Sequence, residues 1–381
     1  MSPARHVAFR ILLRIPAGAH ASDLLRRSDG LDARDAGLAS EIVFGCLRMQ
    51  AQLDALIARA SGRPAERLDP EVRIALRIGI YQLRYLDRIP RHAAVAESVG
   101  LVRTARKSSA AGFVNAVLRK IDRGPVAWLD RVTALSHPAW LLESWTRQFG
   151  ASTAERIALA FLKPPETWVR VPQGVSVEGV ELEPCGPPGC YRVVSGEPSR
   201  LRIQDIGSQS IIPLLELESG ATFLDLCAAP GNKTAQALEQ GVQAVACDIS
   251  PLRLAALKGL RCGRVVADVS EPLPFRRRFE RILLDAPCSG TGTLGRNPEI
   301  KWRLQPSDLP RFHDRQVKML TRALDALAPG GRLVYSTCSL EREENEAVLE
   351  KVLGRLPDKI LRRLPGVDPG DGFFAAVIPS N

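Results

Sequence analysis

No C-x-x-C pair occurs among the eight cysteines of this 381-residue chain, Cys46, Cys185, Cys190, Cys227, Cys247, Cys262, Cys288 and Cys338. A zinc ribbon or a thioredoxin-like redox site therefore has no ligand set at the required spacing, and no metal is expected. Apolar runs are short as well. None reaches the roughly 18 residues that a membrane-spanning helix needs, so no membrane partner is expected. The N-terminal apolar patch is interrupted by Arg10 and Arg14, which argues against a signal peptide and for the cytoplasm. In that compartment thiols stay free and mostly buried, so any special cysteine must be singled out by its local setting. Internal repeats and low-complexity tracts are missing too.

What is present is a soluble-globular composition, 25% charged and 45% apolar, with a net charge of +10. The length suggests two or three domains. Residues 1–150 carry 23 Lys/Arg against 14 Asp/Glu, so nearly the whole surplus sits in the first part of the chain. A basic module joined to a near-neutral one points to a polyanionic partner such as RNA. Because nearly all of these cations are Arg, a generally basic proteome is the competing explanation.

Residues 1–135 read as an all-α bundle. Leu38, Ile42, Leu53, Leu56 and Ile57, then Ile74, Ile78, Tyr81 and Tyr85, recur at spacings of three and four. Pro70 and Pro90 suit first-turn positions, Asp69 an N-cap, and Gly62 and Gly124 breaks. Residues 136–205 begin helical (138–162) and become Pro- and Gly-rich, with PCGPPGC (184–190) as loop and short strands at 168–171 and 191–194; this predicts a small α+β linker domain. Residues 206–381 alternate. Strands are expected at 222–227, 244–248, 264–267, 281–285 and 332–337, with a helix from about Lys233 and a long one over 313–327. Repeated βαβ units predict a parallel, doubly wound, Rossmann-like α/β sheet.

The segment Asp225-Leu-Cys-Ala-Ala-Pro-Gly231-Asn-Lys-Thr lies where the first of these strands turns into a helix. Ligands of open α/β sheets bind at the carboxyl ends of strands. Ala228, Ala229 and Gly231 are small enough for close ligand approach. Free N–H groups of the helix start would suit the carboxylate of an amino-acid-like cofactor. Asp248 ends the second strand and could hold two ribose hydroxyls, and Asp268 ends the third, beside an adenine. The turn has a single Gly rather than G-x-G-x-x-G, which disfavours a nicotinamide cofactor, and it lacks the P-loop order. A plain strand–helix turn is the alternative.

Asp285-Ala-Pro-Cys288-Ser-Gly ends the fourth strand and Ser336-Thr-Cys338-Ser the next, on the same sheet edge as the turn. Two thiols and a carboxyl group at one edge fit methylation of cytosine C5. That carbon is too poor a nucleophile until a thiolate adds at C6. A carboxyl near N3 would hold or protonate the ring, and the base must be flipped or single-stranded. Packing, or a redox pair, would account for the same cysteines. From position alone, either thiol could be the nucleophile.

QDIGSQ (204–209), DLCAAPGNKT, ACDIS (246–250), VVAD (265–268), DAPCSGTGTLGRNPEIKW (285–302) and YSTCSLEREENE (335–346) together closely resemble the NOL1/NOP2/Sun family of RNA cytosine-5 methyltransferases. The resemblance implies S-adenosyl-L-methionine as cofactor and Cys338 as nucleophile. It implies that Cys288 assists release of the methylated RNA and that Asp285 contacts both cytosine and cofactor. It further implies cofactor binding by Cys227, Ala228, Ala229, Pro230, Gly231, Asn232, Lys233, Asp248, Arg253 and Asp268. The segment 68–103 with FVNAVLRKI (113–121) resembles the helical, RNA-binding NusB-like domain. Bundle, linker and catalytic domain together imply a monomer acting on 16S rRNA. Three departures stand out: Gly-Asn-Lys where the family usually has Gly-Gly-Lys, a short linker, and Val171-Pro172 where the family often has Val-Asn. The same reaction on tRNA, or a non-catalytic RNA-binding assembly factor, are the alternatives. Methylation of an exocyclic nitrogen is disfavoured because Asp-Ala-Pro-Cys replaces the Asp/Asn-Pro-Pro-aromatic motif of such enzymes.

Overall fold

A computed structural model describes residues 2–28, 30–199 and 201–380. The chain forms two compact units, residues 1–164 with 294–303, and residues 165–293 with 304–381.

The first unit is helical: α1 (Pro3–Arg14), α2 (Ala21–Arg26), α3 (Ala33–Arg48), α4 (Gln50–Ser61), α5 (Pro70–Tyr85), α6 (Arg91–Thr104), α7 (Ala111–Arg119), α8 (Arg131–Leu135), α9 (Ala139–Phe149) and α10 (Ala151–Phe161). The apolar periodicity becomes its core, with Ile42, Leu53, Ile57, Ile74 and Ile78 buried together. Pro70 opens α5 as expected. Asp69 precedes it, but its carboxylate accepts from Lys107 Nζ at 2.7 Å and makes no cap bond. Pro90 lies just outside α6 instead of in its first turn. Gly45 is where α3 meets Tyr81, since a Cβ there would lie 1.9 Å from the ring.

Residues 294–303 pack into this helical unit and carry the whole GRNPEIKW half of a motif that begins in the other unit. Glu299 accepts from the Ala21 amide at the start of α2 (3.1 Å). Lys301 Nζ and Trp302 Nε1 donate to the last carbonyls of α3, Arg48 O at 3.0 Å and Leu47 O at 2.7 Å. Those carbonyls have no partner within their own helix. Lys301 is fully buried and has no acidic partner among the described residues, and burial, with Arg48 nearby, drives its pKa well down. The middle segment divides between the units, with α8–α10 in the first.

The second unit begins with β1 (Trp168–Arg170), β2 (Val180–Pro184), β3 (Cys190–Gly196) and β4 (Arg202–Ile203), an antiparallel sheet in the order β2-β3-β1-β4. A short helix, α11 (Ile206–Gln209), leads to a seven-stranded sheet in the order β10-β11-β9-β8-β5-β6-β7. Its strands are β5 (Thr222–Leu226), β6 (Gln243–Asp248), β7 (Gly263–Val266), β8 (Phe279–Asp285), β9 (Leu327–Thr337), β10 (Lys359–Arg363) and β11 (Phe373–Pro379), with helices α12 (Asn232–Leu238), α13 (Pro251–Leu254), α15 (Leu309–Asp325) and α16 (Glu346–Leu353) between them; α14 (Ile300–Arg303) belongs to the helical unit. Strands β5 to β9 are parallel. The sheet as a whole is mixed, not parallel throughout, because β11 runs antiparallel to β9 and β10 antiparallel to β11. The chain moves outward from β5 through β6 to β7, then returns to place β8 on the other side of β5. That reversal is a topological switch point, where the strand ends open a crevice.

Candidate active site

Strand β5 ends at Leu226, and the backbone reverses at Cys227 with φ +64°, a left-handed conformation that few non-Gly residues adopt. Gly231 follows at φ +100°, and a Cβ there would lie 2.6 Å from Leu257. Only glycine fits this turn. Three amides of the turn that precedes the helix start are bonded within the fold. Ala228 N donates to Cys247 O (2.9 Å), Gly231 N to Ala228 O (2.8 Å), and Ala229 N to Asp248 Oδ2 (3.2 Å). Arg253 Nη2 braces the turn by donating to Ala229 O at 2.9 Å. Asn232 turns its side chain away from the cleft. Its Nδ2 donates to Ile203 O at 3.2 Å and its Oδ1 accepts from Arg202, so the small antiparallel sheet accommodates this departure from Gly-Gly-Lys.

A cleft of about 280 Å³ opens at the ends of β5, β6 and β8. Cys227, Ala229, Asp248, Arg253, Asp268, Asp285, Cys288 and Cys338 all line it. Ala228, Pro230, Gly231, Asn232 and Lys233 form the turn and helix start without lining it. Asp248 is buried, its Oδ1 accepting from Ser250 N at 2.9 Å. Asp268 lies two residues beyond β7, and the Ser270 hydroxyl and amide hold its pKa below the usual carboxylate range. Sequence reading missed Ile249, half-exposed on one wall, and Arg315 and Met319 from α15. Nothing in the residues marks these three except adjacency to Asp248 or a place on the long helix.

Asp285 sits between two donors, Lys233 Nζ at 2.7 Å on Oδ2 and Ser336 Oγ at 2.9 Å on Oδ1. Burial pulls the Lys233 pKa down, but Asp285, with Cys338 and Asp225, outweighs it and leaves it raised. Lys233 is therefore a charged partner of Asp285. Cys288 Sγ and Cys338 Sγ are 3.4 Å apart. The hydrogen bond with Cys338, then burial, pushes the Cys288 thiol well up. All eight cysteines are free, but only Cys46, Cys190 and Cys247 are buried, fewer than expected. Among the described residues no cluster of potential metal ligands occurs.

The family description "16S rRNA methyltransferase RsmB/F" matches residues 212–372, and the NusB family matches residues 2–123. Ribosomal RNA small subunit methyltransferase B of Klebsiella pneumoniae is 34% identical over 90% of each chain. The probable enzyme of that name from Bacillus subtilis is 30% identical over 97% of each. The chain belongs to the RsmB/F family of rRNA methyltransferases. It is an S-adenosylmethionine-dependent rRNA methyltransferase with a NusB-like region. Its fold is shared over its whole length with a crystal structure of PH0851, at a TM-score of 0.80 and 22% identity, covering 99% of that chain. A methyltransferase homolog protein from Pyrococcus horikoshii, 26% identical, matches 66% of this chain and 98% of its own with a TM-score of 0.57. The cleft suits the cofactor of this family. Two carboxylates can accept from hydroxyl and amino groups, Ile249, Val269 and Met319 offer apolar walls, and the turn is closed by small residues.

Proposed function

We propose that the chain methylates C5 of a cytosine in 16S rRNA through a covalent bond between Cys338 Sγ and C6 of the base. The observation that carries this reading is the Cys288–Cys338 thiol pair, 3.4 Å apart, on a cleft shared with Asp285. When bound, S-adenosylmethionine supplies an electrophilic methyl group. Asp248 and Asp268 hold its ribose and adenine, Ile249 walls the adenine, and the 227–233 turn with Arg253 shapes its seat. Cys338 adds to C6 as thiolate, which makes C5 nucleophilic. Asp285, fixed by Lys233 and Ser336, meets N3 as charge develops there. Once C5 carries the methyl group, its proton leaves to a base and the Cys338–C6 bond breaks. Cys288 stands where it can assist that release.

RNA reaches the site with help from the helical unit. The stripe Arg91, Val95, Val99, Arg103 of α6 and the stripe Gly112, Asn115, Arg119 of α7 border one open groove, together with His92. Three arginines and no acidic side chain line it, a surface matched to phosphates.

The test is methylation of 16S rRNA by the purified protein, mapped by bisulfite sequencing. Cys338→Ala is expected to abolish methyl transfer with cofactor binding retained, whereas normal turnover would refute the mechanism. Cys288→Ala is expected to accumulate a covalent protein–RNA adduct. An adduct with Cys338→Ala instead would reverse the two roles, and a modified tRNA with unmodified 16S rRNA would move the substrate.

A further inference from the structure

Each strand-end cysteine is followed by a serine, and both serines converge on one buried carboxylate. Glu344 is fully buried. Its Oε1 accepts from the Ser289 amide at 2.8 Å and from Gln316 Nε2 at 3.1 Å. Its Oε2 accepts from the Ser339 hydroxyl at 2.5 Å and, closer still, from the Ser289 hydroxyl. The two hydroxyls are themselves 3.2 Å apart. Gln316 extends the same network to Pro287 O at 2.9 Å. Next to Glu344, Asn345 accepts from the Thr337 hydroxyl at 2.6 Å and donates to Ser339 O at 3.0 Å. Tyr335 OH fixes the Glu344 carbonyl at 2.6 Å.

We infer that Glu344 is the positioning residue of the cysteine pair, a single carboxylate that ties the Cys288-Ser289 and Cys338-Ser339 turns together and thereby sets the distance between the two sulfurs. The two turns come from strands β8 and β9, whose own pairing ends at Asp285 and Ser336. Beyond that point few ladder bonds hold the loops together: Ala286 N donates to Ser336 O at 2.8 Å and Gly292 N to Cys338 O at 2.8 Å. Thr291 Oγ1 adds one more tie by accepting from Leu340 N at 2.9 Å, and Glu344 alone bonds to the serine beside each sulfur. A carboxylate suits the place because it accepts four bonds and donates none, whereas every neighbour facing it is a donor. Burial raises the Glu344 pKa, and its bonds from Ser289, Ser339 and Gln316 counter that burial only in part. Its charge also disfavours a thiolate at Cys288, the sulfur on the nearer turn.

The role of this pair in methyl transfer rests on the cysteine chemistry proposed above, so the test reads sulfur geometry directly. Full-length protein is treated with dibromobimane, which bridges adjacent thiols, and the bridged peptides are mapped by mass spectrometry with Cys288→Ala as the blank. Wild type is expected to bridge Cys288 to Cys338. Glu344→Ala is expected to lose the bridge and to lower kcat at least about 100-fold, with S-adenosylmethionine affinity and KM for RNA unchanged. Glu344→Gln keeps the shape and one of the two acceptor oxygens, and the serine hydroxyls can turn to accept from its amide group. It is expected to retain the bridge and kcat within about tenfold, while the pH midpoint for Cys288 alkylation falls because one neighbouring charge is gone; Cys338 and Tyr335 are the other titratable groups against it. If Glu344→Ala fails to bind cofactor, Glu344→Asp replaces it, since the shorter side chain reaches one turn at a time and bridging should slow. Bridging as fast as wild type in the Ala or Asp variant would overturn the assignment. Normal turnover by Cys338→Ala would sink the cysteine chemistry but leave the bridging result to judge Glu344.

Discussion

Asp225 shows what burial does to a single carboxyl. It lies one residue before the end of β5, where its Oδ2 accepts from the Thr234 hydroxyl at 2.5 Å and, among the described residues, its Oδ1 has no hydrogen-bond partner. Burial, aided by Asp285 and Asp248 and opposed by Thr234 and Lys233, raises its pKa to about 7. The folded state therefore holds the proton more tightly than the unfolded chain, where the group titrates near 3.8. Its contribution to stability is fully present below pH 4 and is lost as the pH rises toward 7. Asp225→Asn cannot ionise, so its stability relative to wild type should climb by a few kcal/mol across that window. Melting temperatures of the two proteins from pH 4 to 8 check this; a constant offset would contradict it. The same scale holds the cysteine pair, whose roles the adduct experiment separates.

Turns carry the site at the scale of elements. The β5–α12 turn works because Gly231 alone tolerates φ +100° against Leu257. Gly231→Ala adds left-handed strain of about 1–2 kcal/mol and a clash that pushes the turn or Leu257 aside. We expect S-adenosylmethionine affinity to fall at least about tenfold, the equivalent of that strain, as read by calorimetry. Gly37→Ala in α3 meets nothing within 4 Å and should leave affinity unchanged and stability equal or higher. Equal affinities for the two variants would show that the turn does not shape the cofactor seat. Gly292 makes a comparable approach in the second loop, where a Cβ would lie 2.4 Å from Gly372 O. Strand β11, buried along FFAAVI, brings that Gly372 carbonyl to the site.

The whole molecule couples a basic helical unit to a catalytic one by connections that run both ways, since residues 294–303 return to the helical unit after the Cys288 loop. Deleting the helical unit would strand Lys301, Trp302 and Glu299 without their partners, so surface substitution is the cleaner probe of RNA binding. Replacing Arg91, Arg103 and Arg119 with Ser should weaken rRNA binding. The slope of log affinity against log salt should become shallower by about 2–3, at roughly 0.7–0.9 for each phosphate that is no longer neutralised. Filter binding across salt concentrations measures it, and an unchanged slope would mean that RNA does not use this groove. Among the described residues no helix is long and apolar enough to cross a membrane.

Apolar spacing at three and four, strand–turn–helix alternation and strand-end acids made the bundle, the sheet core and the cleft-lining residues Asp248, Asp268, Asp285, Cys288 and Cys338 legible from the residues alone, because each is a local pattern. The sequence by itself also determined the family, through motifs dense enough to be recognised. Only the tertiary structure decided what depends on atoms distant in the chain: that β11 runs against its neighbours β9 and β10, that Arg253 braces the turn while Asn232 faces away, and that Lys301 and Trp302 cap a helix some 250 positions earlier. It also brought the two sulfurs to 3.4 Å, with Glu344 bonded to the serine beside each. No sequence periodicity encodes that distance. It follows from two parallel strands ending in register and from one buried carboxylate between their loops.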